Sequence, residues 1–155
     1  MNNFLFKLSL PLVAITLCPL SACAQEVPGR HPAYLHALTD LRKAHWLLEH
    51  QPGDAKVYGD EDVALSEIDA TIVEIKRAAI DDGKDLHDHP DLDVHQHGSR
   101  LLRSIESLKT ARADIDQEED NPEIRELRHR SIEHLDRAIR AAERAHDEWL
   151  KAGGE

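Results

Sequence analysis

The residues best suited to chemistry lie in the middle of the chain. Asp81 to His97 reads DDGKDLHDHPDLDVHQH, with four histidines and six aspartates in one stretch. Neutral imidazole is a common protein ligand for Zn²⁺, Cu²⁺ and Ni²⁺, and carboxylates can complete such shells. His87 and His89, like His95 and His97, are separated by one residue. In an extended chain that spacing turns both rings of a pair to one side, and Pro90 disfavours helix at His89. The metal reading takes His87, His89, His95 and His97 as ligands, with Asp88, Asp91 and Asp93 as further donors. The same residues also read as a solvated connector. Gly83 and Pro90 punctuate the stretch, no apolar stripe crosses it, and its ligand spacing is not that of a zinc finger.

Other chemistries find less support. The sequence has no G-x-S-x-G, no phosphate-cradling glycine loop and no H-E-x-x-H. The acidic run Asp114 to Asp120 lacks the glycine and spacing of a calcium loop and reads as a solvated turn. A b562-type haem needs an axial methionine, and the only one is Met1. Di-iron bundles need E-x-x-H on two helices, whereas Glu126-x-x-His129 and Glu143-x-x-His146 fall on one. The expectation is a non-catalytic protein.

The elements that must position these residues begin after an address. Lys7 precedes a mostly apolar run, Leu8 to Leu17, closed by small residues, which is the plan of a secretory signal over residues 1–22. Leu20-Ser21-Ala22-Cys23 resembles a bacterial lipobox. That resemblance implies cleavage before Cys23, lipidation of its thiol, and a tether over 23–30. Ala24 stands where an inner-membrane retention signal would have Asp, so the expected site is the periplasmic face of the outer membrane. The alternative is ordinary cleavage after Ala24, giving a soluble periplasmic protein. Cys18 and Cys23 are the only cysteines, so processing leaves no pair for an internal disulfide.

Beyond the tether the chain says nearly the same thing twice. Tyr34, Leu38, Leu41, His45 and Leu48 fall on one helical stripe that ends before Pro52-Gly53; Leu65, Ile68, Ile72, Ile75 and Ala79 form a second, with Asp60 or Asp62 as its N-cap. Leu101, Ile105, Leu108, Arg112 and Ile115 carry a third. Ile132, Leu135, Ile139, Ala142, His146 and Trp149 carry a fourth, opened by Asn121-Pro122 and closed by Gly153-Gly154. Adding 67 to Leu38, Leu41, Leu48, Leu65, Ile68, Ile72 and Ile75 gives Ile105, Leu108, Ile115, Ile132, Leu135, Ile139 and Ala142. A gapless offset of this kind marks an internal repeat. The predicted fold is all-α, an up-down-up-down four-helix bundle of two duplicated hairpins within 31–155: about 31–83, a joint over 84–98, and about 99–152. Such a bundle would gather His31, His36, His87, His89, His95, His97 and His146 at one end, and His45, His50, His129 and His134 toward the other. His45 and His146, on apolar stripes, read as core histidines, and Trp46 and Trp149 as packing residues.

Three segments carry a family likeness. His31-Pro32-Ala33-Tyr34-Leu35-His36-Ala37-Leu38-Thr39-Asp40-Leu41-Arg42, Ala78-Ala79-Ile80-Asp81-Asp82-Gly83-Lys84 and Ala111-Arg112-Ala113-Asp114-Ile115 resemble motifs of a family of small, uncharacterised exported bacterial proteins. The resemblance covers most of the mature chain and implies no activity or residue role. A formal charge of −11 and 4% aromatic residues argue against nucleic acid as a partner. The expectation is a monomeric envelope protein with an interaction or structural role, held to the membrane by its lipid and open to an envelope protein partner. The second expectation is a periplasmic Zn, Cu or Ni binding or buffering protein.

Overall fold

The computed structural model describes residues 32–50, 58–77, 83–88, 92, 97–117 and 122–154, with backbone alone at 97 and 122–124. The described residues form four α-helices: α1 (Pro32–Glu49), α2 (Gly59–Arg77), α3 (His97–Gln117) and α4 (Pro122–Lys151). Proline opens both α1 and α4, where its fixed φ suits the first turn and its missing N–H has no intrahelical acceptor to lose. The start of α2 differs from expectation. Tyr58 is the residue ahead of the helix, and Glu61 Oε1 reaches back to its backbone N–H at 3.4 Å, the return half of a capping box. Asp60 and Asp62 instead fall in the first turn, where carboxylates complement the helix dipole. At the other extreme, Gly154 N–H bonds Trp149 O and Gly153 N–H bonds Leu150 O, both at 3.1 Å, while Gly153 takes φ +86°. This Schellman turn needs the left-handed conformation that glycine adopts without strain.

Most residues of the expected stripes form the core; Leu65, Arg112, Ile132, His146 and Trp149 are half-buried, and Ala79 lies outside the described residues. Tyr34, Leu38, Leu41 and Leu48 of α1 are buried with Ile68, Ile72 and Ile75 of α2, Leu101, Ile105, Leu108 and Ile115 of α3, and Leu135, Ile139 and Ala142 of α4. Each of the seven pairs at offset 67 shares one burial class: six are buried in both halves, and Leu65 and Ile132 are both half-buried. A polar link recurs at the same offset. His45 lies 3.4 Å from Asp69 between α1 and α2, and Arg112 donates to Asp136 at 2.6 Å between α3 and α4.

The fold is an all-α four-helix bundle, but its connectivity differs from up-down-up-down. α1 packs mainly on α3 and α2 mainly on α4; α3 joins α4, and the α1–α2 contact is the slightest. Arg100, in the first turn of α3, donates to the carbonyls of Leu47 and His50 at the end of α1, so α1 and α3 are antiparallel. Asp60 pairs with Arg144, Glu67 with Arg137 and Glu74 with Arg130, which makes α2 and α4 antiparallel too. Lys109–Glu143 and Arg128–Asp116 set α3 against α4 in the same sense. The order is therefore up-down-down-up. The end of α2 and the start of α3 thus lie at opposite ends of the bundle, and the described residues between them climb along α1: Lys84 O accepts from Arg42 Nη2 at 3.3 Å, and His87 faces Glu49 near the helix end. The physical reason is that each hairpin buries its stripes chiefly against the other hairpin, in antiparallel fashion, so a repeat related by a local twofold must cross over to begin again.

Candidate functional site

The joint contributes one described histidine to a cluster. Asp85 organises the turn, its Oδ1 accepting from the backbone N–H of His87 at 3.0 Å and its carbonyl from that of Asp88 at 3.2 Å. This presents His87, with an exposed side chain, 3.7 Å from Glu49 Oε2. The same oxygen lies 3.6 Å from His45 Nδ1, while His45 Nε2 faces Asp69 Oδ1 at 3.4 Å. The two imidazoles meet edge to face, with centroids 6.2 Å apart. Asp69, His45, Glu49 and His87 thus form a chain of alternating carboxylates and imidazoles from α2 through α1 to the joint. Burial holds the His45 pKa below its usual range and His87 adds to this, against the opposing pull of Asp69 and Glu49. His45 is a core histidine, as expected from its stripe.

Of the proposed metal ligands, His87 and Asp88 are described and both are exposed. His89, Asp91, Asp93, His95 and the side chain of His97 lie outside the described residues. Among the described residues no three His, Cys, Asp or Glu side chains surround a point that would hold a metal ion. The expected gathering of histidines at one end is corrected by the crossover. His45 and His50 stand at the end where α1 and α4 finish and α3 begins, with His146 and the backbone of His97, while His36 lies at the opposite end with His129. His87 is carried up to the first group.

Sequence reasoning missed the most regular constellation in the molecule. Asp60, Glu67 and Glu74 stand seven residues apart on α2, and Arg130, Arg137 and Arg144 seven apart on α4. Antiparallel packing joins them as three rungs: Asp60–Arg144 at 2.7 Å, Glu67–Arg137 at 2.9 Å and Glu74–Arg130 at 3.0 Å. His134 Nδ1 adds a 2.5 Å contact to the other Glu67 oxygen. Burial raises the Glu67 pKa, but the hydrogen bonds from His134 and Arg137 outweigh it and leave the carboxyl below its usual range. Asp60 is lowered by its bond to Arg144. The heptad spacing of three acids on one helix and three arginines on another was the available signal. It is the flanking charge pattern of a coiled-coil seam.

A second buried polar group closes the end of the bundle where α3 begins. Arg100 is 1% exposed, and its Nη1 donates to Leu47 O at 2.6 Å and to His50 O. It thereby satisfies carbonyls that α1 leaves open at its C-terminus. Glu61 is buried nearby; burial raises its pKa, against the Tyr58 N–H bond and the Arg100 charge. Trp149 packs against the core there as expected, its ring so close to Gly98 and Gly154 that a Cβ at either would fall within 2.4 Å of it. Trp46, half-buried, stacks on His50 at 4.4 Å.

The surface offers an open groove of about 570 Å³ along α3, lined by Leu102, Ile105, Glu106, Lys109, Ala113 and Asp114 among others. Val63, Val73, Leu102 and Leu150 are exposed apolar side chains. Among the described residues no helix is long and apolar enough to cross a membrane. Comparison with protein-family models, curated proteins and solved structures gives no match.

Proposed function

We propose that this chain is a non-catalytic lipoprotein of the bacterial cell envelope, anchored through Cys23 to the periplasmic face of the outer membrane and carrying a helical bundle that serves an interaction or structural role. The observation that carries this reading is the conjunction of two features. Leu20-Ser21-Ala22-Cys23 closes a short apolar leader, and the helices beyond it bury their stripes against one another while Leu102 and the α3 groove stay open to a partner. An anchor outside the bundle leaves those surfaces free. Stable attachment takes more than one acyl chain, which multiple acylation of an N-terminal cysteine supplies. Metabolic fatty-acid labelling tests the reading. Wild type should label and fractionate with membranes, whereas Cys23→Ala should do neither; equal labelling, or a mature N-terminus at Gln25, rejects the anchor in favour of the soluble periplasmic form.

A second reading has an observation of its own. His87 of the joint is exposed at the rim of the bundle beside Glu49, and a neutral imidazole is a ligand for Zn²⁺, Cu²⁺ or Ni²⁺. In this reading His87, His89, His95 and His97 bind the ion, with Asp88, Asp91 and Asp93 assisting. Titration calorimetry on the mature protein should then show Cu²⁺ tightest, and binding should weaken below about pH 6 as imidazole protonates. Replacing all four histidines with Ala should abolish binding while the helical circular dichroism persists. Equal binding by the variant, or none by wild type at micromolar metal, removes this reading.

A further inference from the structure

The ladder between α2 and α4 breaks the symmetry that the rest of the repeat keeps. At the 67-residue offset Asp60, Glu67 and Glu74 correspond to Leu127, His134 and Ala141, and Arg130, Arg137 and Arg144 to Val63, Ala70 and Arg77. Each hairpin therefore holds half of the code. If hairpin 1 faced a copy of itself in the same register, Glu67 would meet Ala70 and Glu74 would meet Val63. Glu67, with its side chain 21% exposed, would lose both Arg137 and His134; Glu74, 9% exposed, would lose Arg130 and keep only Arg77 of its own helix, which Asp60 would then have to share. If hairpin 2 faced itself, Arg130 would meet Ala141, Arg137 would meet His134, and Arg144 would meet Leu127. Glu67 and Arg137 would lose their carboxylate–guanidinium partner outright, and Glu74 and Arg130 would keep only the pairs within their own helices, so both arrangements are disfavoured.

We propose that the ladder makes the two hairpins mutually specific docking partners, and that a second copy of this chain can supply either one. In the resulting exchanged dimer, hairpin 1 of each molecule closes on hairpin 2 of the other. Every rung and every cross-hairpin stripe contact recurs in that dimer. The dominant packing, α1 on α3 and α2 on α4, lies between hairpins, so it is the packing that exchange preserves. The partner is fixed by charge: an acidic α2 accepts a basic α4 in antiparallel register and nothing else in the molecule offers that spacing among the described residues.

Two charge-reversed forms of the full mature chain test this. The first carries Asp60→Arg, Glu67→Arg and Glu74→Arg; the second carries Arg130→Glu, Arg137→Glu and Arg144→Glu. Alone, each sets like charges at all three rungs, and its thermal midpoint should fall by about 10 °C or more. Mixed in equal amounts, they should sediment as a dimer of twice the monomer mass and regain the lost midpoint, because each basic α2 then meets an acidic α4. A single chain carrying all six changes should return to a monomer melting within about 3 °C of wild type. The proposal is overturned if either triple variant melts like wild type, since the rungs would then specify nothing. It is overturned equally if the mixture stays monomeric or unfolded while the six-fold variant folds.

Discussion

At the scale of single residues, the polar groups inside the bundle decide more than the exposed histidines. Arg100 gathers two carbonyls at the end of α1 and lies beside a buried Glu61. Arg100→Met keeps most of the volume, removes the donors to both carbonyls, and takes away the charge that favours ionised Glu61. It should cost about 3 kcal/mol in urea unfolding, the scale of a broken buried charge network. His45 makes the complementary case for pH. Its folded pKa is depressed, chiefly by burial, so the folded state takes up a proton less readily than the unfolded chain. Stability is then full above the unfolded value near 6.5 and declines as pH falls through that value toward the folded one. The urea midpoint of wild type should drop between pH 7.5 and 5.5, and that of His45→Gln should drop less. Glu67 acts in a different window: its lowered pKa adds stability above the usual carboxylate range that is lost in stronger acid.

At the scale of elements, the helices are amphipathic segments whose stripes find one another. Ile72 sits in the middle of the α2 stripe, 5% exposed, within the single core cluster. Ile72→Asp would place an unpaired carboxylate there and should cost more than about 4 kcal/mol, among the most damaging single changes in the chain. A variant as stable as wild type by thermal circular dichroism would mean that the α2 stripe is not core. The ends of the helices show how local chemistry and tertiary placement divide the work. Pro122 and the Gly153-Gly154 pair act as sequence rules expect, whereas Tyr58 is drawn into the N-cap position because its ring is also buried against the core.

At the scale of the whole molecule, the repeat and the crossover belong together. Two hairpins that bury their stripes against each other around a local twofold must point α2 and α3 the same way, so the connection between them spans the bundle instead of turning at one end. That is why the described part of the joint lies along α1, held at Lys84 and His87. The chain is strongly acidic overall, with a net charge of −11, and Arg130, Arg137 and Arg144 at the α2–α4 seam and Arg112 at the α3–α4 seam pair with carboxylates of the facing helix.

The sequence by itself determined the helices and what each one buries. Apolar spacing of three and four, proline at two starts and glycine at one end are local physics, and the 67-residue offset is a property of the string alone. Tertiary structure decided what periodicity cannot encode: the direction of α3, and with it which histidines share an end. A stripe states that a face will be buried but not which neighbour covers it or in which sense, since parallel and antiparallel partners satisfy the same apolar pattern. The ladder of Asp60, Glu67 and Glu74 with Arg130, Arg137 and Arg144 was readable as two heptad runs. Its meaning required α2 and α4 to be adjacent and opposed, because a charge has a specific role only once its partner's position is fixed.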